Sequence, residues 1–288
     1  MLRFSMLQEG KVLIGAGAVN QIGELITQLG YNKTMVVCDI GILKAGLVDK
    51  AVASLTAAGH EAIIYDKVLP DPPAELCEKG YDFYKEQGCD SIVAIGGGSS
   101  IDTAKGINIL RYNEGPILRF ADPTQEMKPS KELIAIPTTA GTGSELSDGL
   151  VLTNGDTKMG IGCLNSMADY IILDPELFVG LPAHITASTG MDVLAHASEA
   201  YTGNAANCFI DFICEKVIQT VAEYLPVACS DPTNLKARER MALASSMKNK
   251  DGKWKHLALL HQNQKVQYTR KQLVYRPLSK KCSLQSCQ

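Results

Sequence analysis

The sequence predicts an α/β N-terminal domain built on a mainly parallel sheet, followed by an all-α domain. Three observations predict it. Short apolar runs alternate with helical patterns as far as about residue 180, the signature of successive βαβ units. Two small, glycine-rich segments each follow an apolar run. Strand patterns then stop at "LPAHITASTG", and every later periodic stretch up to Met247 is helical.

The elements follow in order. "GAGAVNQIG" (Gly15–Gly23) reads as a turn opening a short helix, and "KTMVVCD" (Lys33–Asp39) as a strand with a polar end. "GLVDKAVASLTAAG" is a helix ending at Gly59, "HEAIIYDKV" a second strand, and "AELCEKGYDFYKEQG" a helix stopped by Gly88. "CDSIVAIGGGSS" is a strand running into a glycine turn, "SIDTAKGINILRY" the next helix, and "ELIAIPTTAGTGSE" a strand and loop. "MDVLAHASEAYTG", "NCFIDFICEKVIQTVAEYLPVACS" and "NLKARERMALASSM" are helices. The expected divisions are residues 1–180 (dinucleotide-binding α/β domain), 181–247 (partial helical metal-binding domain) and 248–288 (a divergent basic tail, poorly ordered).

Apolar residues make up 45% and charged residues 20% of the chain, with net charge −3. That balance suits a globular protein and points away from nucleic acid as a partner. Neither a signal core nor a membrane-spanning run is apparent. The nine cysteines include no C-x-x-C pair, which fits reduced thiols and a cytoplasmic location. Charge is uneven: residues 248–288 carry ten Lys or Arg and one Asp, a net of +9, against −12 for residues 1–247.

Two features carry chemistry. In "AIGGGSSIDTAKGI" a strand ends in three glycines and a helix starts at Ser99 or Ser100, with Asp102 at capping-box distance from Ser99. Glycines allow close backbone approach, and a helix N-terminus offers free N–H groups and a positive dipole end. The combination suits a pyrophosphate, or is simply a tight turn. The other glycine segment, "PTTAGTGSE", is suited to wrapping a cofactor, or is a plain surface loop. Asp39 ends the first strong strand, where an acid can hold ribose hydroxyls and disfavour a 2′-phosphate. Taken alone it reads more often as a turn carboxylate. The acid also precedes the glycine turn, the reverse of the usual dinucleotide fingerprint, so the domain is Rossmann-like rather than standard. In "GMDVLAHASEAY", Asp192 and His196 share a helix face at i, i+4, with Glu199 close behind. That is half a metal site, or a polar pair on a helix.

Seven motifs taken in order resemble the iron-containing alcohol dehydrogenase family: "GAGAV", "VVCDIGILKAGL", "AIGGGSSIDTAKGI", "IAIPTTAGTGSE", "ILDPELFVGLP", "TASTGMDVLAHASEAYTG" and "ARERMALASSM". They span about residues 8–247 and are most similar to the small-alcohol and diol branch. The resemblance implies a dehydroquinate synthase-like architecture with the active site between two domains. It implies that Gly97, Gly98 and Ser99 hold the pyrophosphate of NAD and that Asp39 sits by the adenosine ribose. Thr138, Thr139 and Thr142 would line the cleft, with Lys158 and Leu177 nearby. Asp192 and His196 match two ligands of a divalent metal, Fe2+ or alternatively Zn2+. The implied reaction is hydride transfer between NAD(H) and a small alcohol, aldehyde or diol, with no membrane partner and with homo-oligomerisation left open. The metal would polarise the substrate oxygen.

The family's two further histidine ligands have no evident match. His256 and His261 are the histidines after Met247, and five residues place them roughly 140° apart around a helix. The charge flip near Met247 therefore reads as the end of the resemblance, in a truncated or frame-shifted C-terminal part. The expectation is an incomplete helical domain and an incomplete ligand set, in a dehydrogenase of weakened or lost activity. The alternatives are a non-catalytic NAD-binding remnant and a partner-binding protein using the basic tail.

Overall fold

The computed structural model describes residues 11–162, 166–204 and 206–247. Its centre is a six-stranded sheet: β1 (Lys11–Ile14), β2 (Lys33–Asp39), β3 (Glu61–Val68), β4 (Ser91–Gly96), β5 (Leu133–Pro137) and, after a hairpin, β8 (Tyr170–Leu173). The strand order is β1-β8-β5-β4-β2-β3, and all neighbouring pairs are parallel. Central strands buried on both faces need apolar side chains in both directions. In β2, Met35 and Val37 enter one core while Val36 and Cys38 enter the other, and Ile92/Ala94 and Val93/Ile95 divide β4 in the same way.

Helices cover both faces. α1 (Ile22–Leu29) and α3 (Asp49–Ala57) contribute Ile22, Ile26, Ala51 and Leu55 to one core. α4 (Glu75–Gln87) and α5 (Gly98–Tyr112) contribute Cys77, Tyr84, Ile101 and Ala104 to the other. The short α2 (Ile40–Lys44) follows β2 directly. From β2 the chain passes to β3 on one side; from β4 it passes to β5 on the other. The carboxyl ends of the adjacent strands β2 and β4 thus flank the point where the winding reverses, where such sheets open a crevice.

Two features depart from the expected order of elements. An antiparallel hairpin, β6 (Gly149–Asn154) and β7 (Thr157–Gly162), interrupts the α/β alternation. Its turn is the pair Gly155–Asp156, with Gly155 at φ +58°, a conformation that favours glycine. The capping box at Ser99 also does not form. Helix α5 starts one residue earlier, with Gly97 as N-cap and no side-chain cap, and Asp102 Oδ2 instead accepts from Val151 N at 2.9 Å.

The all-α part comprises α6 (Ala183–Thr202), α7 (Cys208–Ser230) and α8 (Leu235–Met247). The expectation of an incomplete helical domain is corrected here. These helices share a buried core of their own, including Val193, Ala197, Val217, Val221, Leu225, Met241 and Ala244. Small residues permit the close packing: a Cβ on Gly190 would lie 2.3 Å from Leu225 Cδ1. Arg238 fastens α8 to the segment entering α6, donating to Thr186 Oγ1 at 2.8 Å, Leu181 O at 3.1 Å and Pro232 O at 3.1 Å. The basic segment 248–288 lies outside the described residues. Among those described, no helix is long and apolar enough to cross a membrane.

Candidate functional site

The site begins at the β4–α5 turn. Gly96 has φ +150°, and a Cβ there would lie 2.4 Å from Ser100 Oγ, so only glycine fits. Gly97, Gly98 and Ser99 are half-buried. The leading amides of a helix have no carbonyl one turn back. In α5 neither a side-chain cap nor an acidic residue in the first turn competes for that positive end. Such an end accepts an anion.

The β5 loop forms the facing wall. Thr138 N donates to Gly96 O at 3.0 Å, which aligns the two strand ends. A Cβ on Gly97 would lie 3.2 Å from Thr139 Oγ1, and one on Gly98 would lie 2.8 Å from Thr142 Cγ2. The glycines therefore let the threonine loop pack directly against the turn, where any side chain would collide. Thr138 is buried, and its Oγ1 has no hydrogen-bond partner among the described residues.

Asp39 stands beside the same turn because β2 pairs with β4. Its Oδ1 caps α2 by accepting from Gly41 N at 2.8 Å and Ile42 N at 3.0 Å. Its Oδ2 lies 3.8 Å from where a Cβ on Gly96 would be. The carboxylate is a turn cap and a neighbour of the glycine turn at once. The reversed order of acid and glycines disappears in space.

Asp192 Oδ1 and His196 Nε2 are 3.6 Å apart on α6, with His196 buried and Asp192 half-buried. At helical spacing Thr189, Asp192 and His196 share a face. Gly141 of the β5 loop presses on that face, where an added Cβ would lie 2.7 Å from Thr189 Cβ. The loop walling the glycine turn thus also abuts the helix carrying the carboxylate–imidazole pair. Those two donors suit a first-row divalent ion. Among the described residues, no group of three or more His, Cys, Asp or Glu forms a metal cluster, and His256 and His261 lie outside them.

Two expected residues have other partners. Lys158, on β7, is exposed and pairs with Asp71 at 2.6 Å. Leu177, in the 3-10 turn Pro175–Phe178, is buried in the core beneath α1 and α3. Two charged groups escaped the sequence reading. Lys105 is fully buried in α5, and burial pushes its pKa down against the carboxylates of Asp102, Glu145 and Asp148. Glu145 Oε1, also buried, accepts from Ser246 Oγ at 2.6 Å, joining the β5 loop to α8. The available signal for Lys105 was its spacing from Gly98, seven residues along one helix face.

Comparison with known proteins decides the family. The family model for iron-containing alcohol dehydrogenase matches residues 9–175, and that for the family's C-terminal part matches residues 186–261. The chain belongs to the iron-containing alcohol dehydrogenase family. It is 41% identical over 239 residues to choline dehydrogenase of Bacillus subtilis, covering 81% of this chain and 59% of that one. It is 37% identical to NAD-dependent methanol dehydrogenase of Bacillus methanolicus, covering 82% and 62%. The chain thus spans about three fifths of the length of these family members. The crystal structure of sulfoacetaldehyde reductase from Bifidobacterium kashiwanohense with NAD+ superposes with a TM-score of 0.81 at 28% identity, covering 86% of this chain and 66% of that one.

The family match corrects the expectation that resemblance ends near Met247 in a truncated or frame-shifted part. The C-terminal match runs on through residue 261 and takes in His256 and His261. A change of charge does not mark where a family's pattern stops.

Proposed function

We propose that the chain acts as an NAD(H)-dependent oxidoreductase, transferring a hydride between nicotinamide and a small alcohol, diol or aldehyde beside a divalent ion, Fe2+ or Zn2+. The observation that carries this reading is the β5 loop, which packs against the uncapped N-terminus of α5 and against the Asp192–His196 face of α6.

Each residue then has a task. The amides of Gly98 and Ser99 bind the pyrophosphate, and Thr139 and Thr142 close the wall opposite. Asp39 accepts from ribose hydroxyls through Oδ2, and its charge disfavours a 2′-phosphate. Lys158 and Leu177 complete the proposed set from farther off, Lys158 on the exposed face of β7 and Leu177 in the core beneath α1 and α3. The Asp192 and His196 side chains would hold the ion. When bound, NAD+ supplies hydride acceptance and the divalent ion supplies polarisation of the hydroxyl oxygen. What the chain's own residues contribute is positioning, which brings reacting groups into register without a protein nucleophile. The division into a cofactor domain (1–180), a metal-binding helical domain (181–247) and a basic segment (248–288) belongs to the same reading.

The test is a fluorescence titration with NADH, followed by NADH formation from NAD+ with small alcohols and diols, with and without added Fe2+ or Zn2+. Metal-stimulated, alcohol-dependent turnover supports the reading. NADH binding without turnover reduces it to nucleotide binding, and absence of NADH binding rejects it.

A further inference from the structure

Helix α5 contacts the segment after β5 at three places along one face. Gly98 meets Thr142. Asp102 Oδ2 accepts from Val151 N at 2.9 Å. Lys105 Nζ donates to Ser147 O at 2.6 Å, Ser147 Oγ at 3.2 Å and Gly149 O at 2.9 Å. Residues 98, 102 and 105 are spaced i, i+4 and i+7, so they form one stripe.

The segment from Thr138 to Gly149 needs such anchoring. It leaves the sheet at Pro137, and its regular structure before β6 is the single 3-10 turn Ser144–Leu146. Its near end is tied by Thr138 N to Gly96 O. Its far end is tied by the Lys105 ammonium, which reaches three acceptors from a fully buried position.

Stability alone is a poor reason for that lysine. Burying an amine is costly, and replacing donor and acceptors together by apolar groups of similar volume is often neutral or stabilising. A charged donor held by three fixed acceptors does supply directional placement. Removing it does not strip the loop of every bond, because Ser147 Oγ also donates to Gly149 O at 2.9 Å. The segment would loosen rather than collapse.

We propose that Lys105 is a positioning residue for the dinucleotide: from inside α5 it fixes the far end of the Thr138–Gly149 segment, so that Thr139 and Thr142 stand opposite Gly97 and Gly98. The proposal rests on the NAD(H) reading above and deepens it. Lys105 touches no cofactor; it acts through the loop.

The experiment compares NADH affinity and thermal unfolding in the full chain for four proteins: unaltered, Lys105→Met, Lys105→Arg and Arg238→Met. Arg238 is the control, a buried cation that ties α8 to residues 181–186. Both methionine variants should lower the melting temperature. Lys105→Met should also weaken NADH binding about ten-fold, the scale of a lost charge-assisted hydrogen bond. Arg238→Met should stay within about two-fold, and Lys105→Arg should recover part of the affinity. Equal affinity in Lys105→Met and the unaltered chain overturns the proposal, as does an equal loss in Arg238→Met, which would make the effect one of general stability. Amide hydrogen exchange on the unaltered chain gives a check that needs no variant. Saturating NADH should slow exchange across Thr142–Gly149, and unchanged exchange there is a contrary result. If the unaltered chain binds no NADH, the functional reading fails first and takes this proposal with it.

Discussion

Replacing Gly141 by alanine tests the joint between the threonine-bearing loop and α6. The added Cβ would lie 2.7 Å from Thr189 Cβ and 3.2 Å from both Thr189 Cα and Cγ2. Carbon atoms pack best at about 3.5–4.0 Å, so the loop and helix must part by roughly 1 Å. No rotamer change relieves this, because Cβ and Cα are fixed to the α6 backbone. Overpacking of this kind costs about 1–3 kcal/mol. Thr189→Gly removes the opposing Cβ and Cγ2 and leaves Cα at 3.2 Å, at a cost of about 1 kcal/mol for glycine within a helix and the loss of the Thr189 Oγ1 bond to Ile185 O. The double variant should therefore be more stable than the sum of the single losses implies, by about 1 kcal/mol or more. Equilibrium urea unfolding of the four proteins measures this, provided the slopes agree. Losses that add within about 0.5 kcal/mol would show that the two residues do not meet, and the proposed joint would fail with them.

Two further outcomes follow from hydrogen-bonded carboxylates. Asp174 is fully buried and accepts from Gly17 N, Val19 N and Glu176 N at 3.0–3.1 Å; Asp174→Ala strands those donors and should cost about 2–5 kcal/mol in urea unfolding, whereas a loss below about 1 kcal/mol would show that the clasp is dispensable. Burial pushes Glu132 upward, but hydrogen bonds from Tyr112 and Tyr31 and the Arg111 guanidinium outweigh it and hold its pKa below the ordinary value. A depressed carboxylate stabilises the fold above its unfolded pKa, and that contribution fades as pH falls through the folded value. Glu132→Gln should thus flatten the loss of the urea midpoint on acidification below about pH 4.3, and an unaltered acid profile would contradict the assignment.

What the sequence by itself determined was local. The βαβ alternation, the glycine turn before α5, the threonine-rich loop and the Asp192–His196 pairing depend on residues two to seven positions apart, and strand and helix periods make such spacings readable. The β6–β7 hairpin lay within the same reach, signalled by the Gly155–Asp156 pair, but does not show in the strand periodicity. The basic tail shows the limit of composition, since the family match passes through the charge change at Met247.

Tertiary structure decided the rest, because those relations cross long stretches of chain. Asp39 belongs beside the glycine turn because β4 inserts next to β2, an ordering that no local pattern contains. Asp102 looked like half of a capping box and instead serves Val151, 49 residues away. Lys105 reaches Ser147 and Gly149 over 42 and 44 residues, and Glu145 meets Ser246 over 101. Burial turns such charged and polar groups into positioning elements, since a group removed from water must find its partners wherever the fold supplies them.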